Sequence, residues 1–199
     1  MHKLQPRLII AFMGVDGSGK STLIRRLNKK LKREYINIKN LHLRPYFFLT
    51  DKRTVNKSPH NQNQQKSKFI SFVMITVWLI IYHIFFIINS KKKNQLIIFD
   101  RYAHDLLIDP RRYNFNLSKK TTKFILDLFP RPNLWFVLKA PIKLIEKRKK
   151  ELPTKELKRQ MNEYMNFYKK KNNMLIVHTN SNIKKNISLI VKKMKSIVN

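Results

Sequence analysis

The sequence predicts an α/β fold in three layers, with a five-stranded parallel sheet covered by helices on both faces. Three observations predict it. Short apolar, β-branched runs alternate along the 199 residues with longer segments of helical periodicity. Apart from residues 36–43, where Ile and Leu alternate with polar residues, the apolar runs are continuous, as in strands that are buried on both faces of a sheet. All three glycines of the chain lie within residues 14–19, directly after the first apolar run.

The strands are predicted at the apolar runs, which are residues 8–13, 36–43, 96–100, 134–138 and 175–177. Between them lie segments with helical periodicity. These helices are predicted over residues 21–31, 69–88, 118–129 with Ser118 as cap, 141 to about 171 beginning at Pro141, and from 183 onward with Asn182 as cap. A helix between successive strands is the connection that a parallel sheet requires.

Length and composition limit the class of protein. With 199 residues, of which 43% are hydrophobic, we expect one domain with its own core over residues 1–199. The lack of cysteine excludes a disulfide scaffold, a thiolate metal site and a cysteine nucleophile. The run 8–13 is too short for the apolar region of a secretory signal, so we expect a cytoplasmic protein.

The charge is strongly positive, with 43 Lys and Arg against 11 Asp and Glu and a formal net charge of +32. One interpretation is a surface for nucleic acid or anionic lipid. The other is codon bias combined with a polyanionic ligand, because the chain is rich in Lys, Asn and Ile and its basic residues are scattered from Lys3 to Lys195. We favour the second interpretation and expect no dedicated nucleic-acid site.

The glycines belong to the stretch GVDGSGKS, residues 14–21, which fits the pattern G-x-x-x-x-G-K-[ST] between a buried strand and a helix. Glycines there let successive backbone N–H groups point at one anion, which also meets the positive end of the helix. In this pattern Lys20 reaches the β- and γ-phosphates of a nucleotide, and Ser21 places its hydroxyl on Mg²⁺. We therefore expect ATP and Mg²⁺ as cofactors.

A second motif stands at the end of the third predicted strand, where Asp100 is followed by Arg101. A strand-terminal aspartate is where phosphate-loop enzymes hold the metal or its water. Together with Ser21, Asp100 is the candidate metal residue.

Over nearly its whole length the chain resembles the thymidylate kinase family of nucleoside monophosphate kinases. The resemblance is carried in order by VDGSGKST, DRY at 100–102, PRPNLWFVLKAP at 130–141 and the basic stretch EKRKKELPTKELKRQ. It implies the three-layer P-loop NTPase fold and transfer of the ATP γ-phosphate to dTMP or a related monophosphate. It also implies nucleotide substrates and a homodimer.

The resemblance assigns roles to individual residues. Asp16 matches the residue that contacts the 3′-hydroxyl of the acceptor sugar, and Arg101 and Arg44 match arginines that hold the acceptor phosphate. A lid at about 143–160 supplies a cation, for which Arg148 is placed with Lys149 and Lys150. The nucleotide-binding set is Gly14, Asp16, Gly17, Ser18, Gly19, Lys20, Ser21, Thr22 and Arg44, and the catalytic set is Lys20, Arg101 and Arg148.

Two departures leave the acceptor open. DRYAHDLLIDP has Asp105 where the family has a serine, and Lys139 replaces a family acid in LKAPIK. One alternative is a deoxynucleoside kinase, in which Asp105 or Asp100 serves as base toward a hydroxyl. The other alternative is a membrane- or nucleic-acid-associated protein with weak catalysis.

Residues 69–88 form an apolar run without Lys, Arg, Asp or Glu, long enough to cross a membrane. A single crossing would put the strand before Lys20 and the strand that ends at Asp100 on opposite sides of the membrane. These two strands must share one sheet if Lys20 and Asp100 are to act together. We therefore expect a buried or dimer-forming helix, with peripheral membrane contact as the minority alternative.

Overall fold

In this computed structural model, residues 7–43, 66–149, 151–168 and 173–198 are described. The chain divides into two compact units. The first, here called the sheet unit, comprises Met1–Leu41, Lys92–Arg101 and Pro132–Asn199, and the second, the helical unit, comprises His42–Lys91 and Tyr102–Arg131. The single domain expected over residues 1–199 stays a prediction.

The sheet has five strands in the order β2-β3-β1-β4-β5. They are β1 at Leu8–Met13, β2 at Asn37–His42, β3 at Gln95–Asp100, β4 at Leu134–Lys139 and β5 at Met174–His178. The strands run parallel, and the register places Phe12 beside both Asp100 and Phe136. The prediction of a five-stranded parallel sheet is confirmed, since the apolar runs identified every strand.

Helices cover both faces of the sheet. Those of the sheet unit are, along the chain, α1 at Lys20–Leu31, α5 at Ile142–Arg148, α6 at Thr154–Tyr168 and α7 at Ile183–Val198. On one face, α1 and α7 share a core with alternate residues of β1, β3 and β4, where the rings of Phe12 and Phe136 stack 5.0 Å apart. On the other face, Trp135 of β4 contacts Tyr168 of α6, with ring centroids 5.4 Å apart.

The continuous helix predicted from Pro141 to about residue 171 is wrong. Helix α5 ends at Arg148, and Lys149 is extended. A proline favours extended backbone at the residue before it, and it has no N–H for the hydrogen bond of a helix interior. Pro153 therefore separates α5 from α6. Its carbonyl accepts hydrogen bonds from the N–H groups of Glu156 and Leu157, and it therefore begins the next helix.

The helical unit contains α2 at Lys68–Ser90, α3 at Asp105–Ile108, a 3₁₀ helix at Pro110–Tyr113 and α4 at Lys119–Asp127. The predicted cap of α4 is confirmed, because Ser118 Oγ accepts a hydrogen bond from Thr121 N at 3.1 Å. The apolar run at 69–88 is helical as predicted, and α2 is long and apolar enough to cross a membrane by length and composition. It is buried along one face only, and the expectation of a buried or dimer-forming helix, with peripheral membrane contact as the minority alternative, stays a prediction.

Tyr82 of α2 lies at the centre of the helical unit. Its hydroxyl donates a hydrogen bond to Leu43 O at 2.8 Å. Its ring meets Tyr102 edge-on at 5.1 Å and Phe129 at 5.2 Å. Burial raises the pKa of both Tyr82 and Tyr102 well above the ordinary tyrosine value.

Replacing Tyr82 with phenylalanine tests this arrangement. We expect Tyr82→Phe to lower the free energy of unfolding by about 1–3 kcal/mol at neutral pH, because Leu43 O loses its buried donor. The raised pKa adds a pH dependence. The unfolded chain loses the proton first, so the contribution of Tyr82 is complete below about pH 10 and falls as the pH rises toward the folded value.

Urea unfolding at neutral pH and at about pH 11 measures both effects. The wild type is expected to lose more stability between the two conditions than Tyr82→Phe. Equal losses would show that Tyr82 ionises as readily in the folded protein as in the unfolded chain.

Candidate phosphate-binding site

The loop after β1 has the backbone of an anion cradle. Its three glycines all lie at positive φ, at 144° for Gly14, 77° for Gly17 and 95° for Gly19. Residues with a side chain rarely adopt these φ angles, and at Gly17 a side chain would also lack space. A Cβ there would lie 3.2 Å from Ile145 Cγ2 and 3.3 Å from Ile145 O. The glycines are therefore required by the path of the loop.

Helix α1 begins at the end of this loop. No side chain caps it at Gly19, and no acidic residue occupies its first turn. Its first N–H groups therefore present the positive end of the helix dipole to an anion. Ser21 and Thr22 lie exposed in the first turn, whereas Ser18 is buried and its Oγ has no hydrogen-bond partner in the described part of the chain.

Lys20 folds back over the loop. Its side chain is buried, and its ammonium donates to Gly14 O at 2.6 Å and to Val15 O at 2.8 Å. These contacts fix a compact positive charge at the loop. The predicted contact of Lys20 with the phosphates of a nucleotide stays a prediction.

Arg101 approaches the loop from the end of β3. Its N–H donates to Phe12 O at 3.0 Å. Its guanidinium pairs with Asp16 and also donates to Tyr164 OH at 3.2 Å. The Arg101 side chain is 3% exposed and that of Asp16 is 14% exposed, so water screens the ion pair little. Arg101 itself has φ of 75°, an uncommon angle for a residue with a side chain, which surrounding contacts must hold.

The end of α5 brings further cations to the loop. Arg148 donates to Gly17 O at 3.3 Å. Lys149 Nζ lies 3.5 Å from Asp16 Oδ2 and 2.9 Å from Glu151 Oε1. Asp16 therefore contacts a cation through each carboxylate oxygen, one from β3 and one from the segment after α5.

Asp100 ends β3 beside Phe12. Its carboxylate is half-buried, and Oδ1 has no hydrogen-bond partner within the described residues. An oxygen of this kind fits a hydrated Mg²⁺, which keeps several waters and takes few protein ligands. No three His, Asp or Glu side chains gather as a metal site in the described ranges.

The structure thus brings together Asp16, Lys20, Arg101 and Arg148 around the glycine loop, as the sequence predicts. Arg44 lies outside the described residues. Tyr164 was not predicted as a site residue, because it shares the apolar spacing of α6 with Leu157, Met161 and Tyr168, which indicates core. Asp105 is buried within the helical unit, where it accepts a hydrogen bond from Tyr113 OH at 2.9 Å.

Comparison with known proteins agrees with this geometry. The sequence matches the thymidylate kinase family over residues 12–190. No curated protein is similar enough in sequence to match this chain.

Solved structures share the fold at low identity. Thymidylate kinase from Candida albicans has a TM-score of 0.62 and 18% identity, covering 98% of this chain and 93% of that one. Thymidylate kinase from Ehrlichia chaffeensis has 0.61 and 14%, covering 95% and 99%. Deoxyadenosine kinase from M. mycoides with bound dATP has 0.58 and 20%, covering 94% and 100%.

Gly17→Ala tests the cradle. The new Cβ would lie against the backbone of Ile145. In addition, the positive φ of residue 17 costs a residue with a side chain about 1–2 kcal/mol. We expect loss of most ATP affinity, measured by calorimetric titration, and a matching loss of the rise in Tm that ATP produces. Asn114→Ala is the control, since Asn114 has φ of 51° but lies in the helical unit. If both variants bind ATP like the wild type, the loop is not the phosphate site.

Proposed function

We propose that this chain, which belongs to the thymidylate kinase family, transfers the γ-phosphate of ATP to a nucleoside monophosphate, with dTMP as the first acceptor to test. As a member of this family, the chain is an ATP-dependent phosphotransferase. The observation that carries the proposal is the Arg101–Asp16 pair at the edge of the glycine loop, flanked by Lys149. In this proposal the glycine loop binds the donor phosphates, and the guanidinium of Arg101 beside it is the second phosphate-binding group.

The donor phosphates belong to the loop. The N–H groups of residues 14–19 and the start of α1 surround the β-phosphate, and Lys20 exchanges its contacts with Gly14 O and Val15 O for phosphate oxygens. Arg148, now on Gly17 O, supplies the lid cation that the loop lacks. Such cations stabilise the charge of the transferring phosphoryl group.

Ser21 and Asp100 would hold Mg²⁺ in this proposal, Ser21 through its exposed hydroxyl and Asp100 through its unpartnered oxygen. The chemistry that the metal would supply is neutralisation of part of the phosphate charge.

The acceptor phosphate belongs to Arg101. A guanidinium binds a phosphate through two parallel N–H donors. Contacts with Tyr164 and Asp16 fix the plane of the Arg101 guanidinium. Asp16 keeps its second oxygen near Lys149, and its contact with the sugar hydroxyl of the acceptor stays a prediction. A monophosphate is already ionised at pH 7, so the transfer needs no general base, only charge neutralisation and in-line placement.

One observation favours a second candidate, a kinase whose acceptor is a nucleoside hydroxyl. Such an acceptor needs a carboxylate base, and Asp100 presents an unpartnered oxygen at the same sheet edge. Asp105, the other carboxylate considered, already accepts the Tyr113 hydroxyl. The cytoplasmic location and the homodimer stay predictions.

An ADP-release assay with ATP, Mg²⁺ and a panel of acceptors tests the function. The panel contains dTMP, dUMP, UMP, CMP, AMP, GMP and thymidine. We expect turnover on a monophosphate, and a loss of kcat/KM on the order of a hundredfold or more in Arg101→Ala, because a charge-assisted bidentate contact is removed.

Arg131→Ala is the matched control, since Arg131 is an exposed arginine that faces Asp127 at 3.9 Å, and it is expected to retain full activity. Turnover on thymidine but on no monophosphate would support the second candidate. Turnover on a monophosphate that survives in Arg101→Ala would remove Arg101 from the acceptor site.

A further inference from the structure

The outer side of helices α1 and α7 carries many exposed cations. Both helices belong to the sheet unit and share one core, in which Leu23, Leu27, Ile190 and Met194 are buried. Exposed basic residues stand on the side away from this core. They are Arg25, Arg26, Lys29, Lys30, Lys32 and Arg33 on α1 and the turn after it, and Lys184, Lys185, Lys192 and Lys195 on α7. We call these residues the basic face.

The two helices bring their cations onto one surface. Lys195 Nζ lies 3.6 Å from Glu34 Oε2, so the end of α7 is beside the turn that follows α1. Packed helices lie about 8–10 Å apart, and residues 184–195 extend about 16 Å along the axis of α7. The basic face is therefore one continuous surface, wider than a single helix.

Carboxylates are nearly lacking on this surface. Glu34 is the one acidic residue in the stretches 20–36 and 183–198. Arg25 and Lys29 stand four residues apart on α1, as do Arg26 and Lys30, and like charges at this spacing repel each other. The repulsion opposes folding, and a bound polyanion would relieve it.

Codon bias alone does not explain this placement. Helix α6 of the same unit is also rich in basic residues, but its acids are interleaved with them. Arg159 pairs with Glu156 at 2.6 Å and lies 4.0 Å from Glu163. A bias in composition does not separate the two signs between faces of one unit. From composition we expected no dedicated nucleic-acid site, and the placement of the cations is the reason to propose one.

The side chains of α1 and α7 indicate which polyanion fits. Neither helix contains an aromatic residue, so the bases of a single strand find no stacking platform. The large apolar side chains exposed on α7 are Leu189 and Ile197, at 43% and 41%, so a bilayer would gain little apolar area. A nucleic-acid duplex carries one charge per ~1.7 Å, which gives about ten phosphates over the length of α7.

We propose that the basic face binds the phosphate backbone of double-stranded nucleic acid. The lysines and arginines neutralise phosphates and release counterions, and no base is read, so the binding is independent of sequence. The glycine loop and Arg101 take no part in this contact. The proposal therefore does not rest on phosphoryl transfer.

Fluorescence anisotropy with a labelled DNA duplex of about 20 base pairs tests the proposal. We expect the logarithm of the association constant to fall linearly with the logarithm of the salt concentration. The triple variant Lys29→Gln, Lys30→Gln, Lys192→Gln is expected to bind roughly tenfold more weakly or worse, and its salt slope is expected to be shallower by about 2–3, because each lost phosphate contact removes about 0.9. Glutamine preserves the helices, since its helix propensity is close to that of lysine.

The matched control is Lys68→Gln, Lys120→Gln, Lys123→Gln, which makes the same charge change at three exposed lysines of the helical unit. It is expected to keep the affinity and the salt slope of the wild type. A single strand of equal length is expected to bind more weakly than the duplex. Saturating ATP and Mg²⁺, at equal ionic strength, are expected to leave duplex binding unchanged, and the basic-face variant is expected to keep wild-type kcat/KM in the ADP-release assay.

Four results would overturn the proposal. In the first, the wild type shows no salt-dependent binding of the duplex. In the second, both triple variants lose affinity alike, so that net charge and not placement is responsible. In the third, ATP and Mg²⁺ displace the duplex, so that the glycine loop holds it. In the fourth, vesicles of phosphatidylcholine and phosphatidylserine compete the duplex away, so that the surface serves an anionic bilayer instead.

Discussion

The ion pair between Arg101 and Asp16 is the contact on which the rest of the site depends. It joins the glycine loop after β1 to the end of β3, and it forms because the register sets Phe12 beside Asp100. The backbone of Arg101 bonds Phe12 O and adopts a positive φ, which turns the guanidinium toward the loop. A strained arginine persists only where its surroundings hold it, and here Asp16, Tyr164 and the sheet edge do so.

Charge explains why so many cations lie near one loop. Lys20, Arg101, Arg148 and Lys149 contact the loop backbone or Asp16, and Asp16 is the carboxylate that they surround. Like charges held this close oppose folding unless partners offset them. Backbone carbonyls and Asp16 offset this charge, and we expect two bound polyanions to offset it more fully. We therefore infer that the cations are arranged for phosphate before a ligand binds.

Much of this could be predicted from the sequence. The continuous apolar runs identified β1, β3 and β4 because a strand buried on both faces has no polar alternation, whereas β2 was identified from alternating Ile and Leu and is half exposed. The loop was predictable because so few residues tolerate its backbone angles. The break at Pro153 was missed because the helical pattern continues on both sides of it. Tyr164 was missed because a tyrosine at core spacing gives no sign of whether its hydroxyl meets an arginine. Which residues of α2 are buried was not predictable, because hydropathy does not tell which face of a helix is covered.

A double-mutant cycle on Asp16→Asn and Arg101→Gln tests the central claim most directly, through kcat/KM for the monophosphate acceptor in the wild type, both single variants and the double variant. If the two residues act as one unit, the double variant loses no more activity than Arg101→Gln alone, because Asp16 acts through the arginine that it orients. If the two losses multiply, the residues act independently. The ion pair would then not be the basis of the acceptor site.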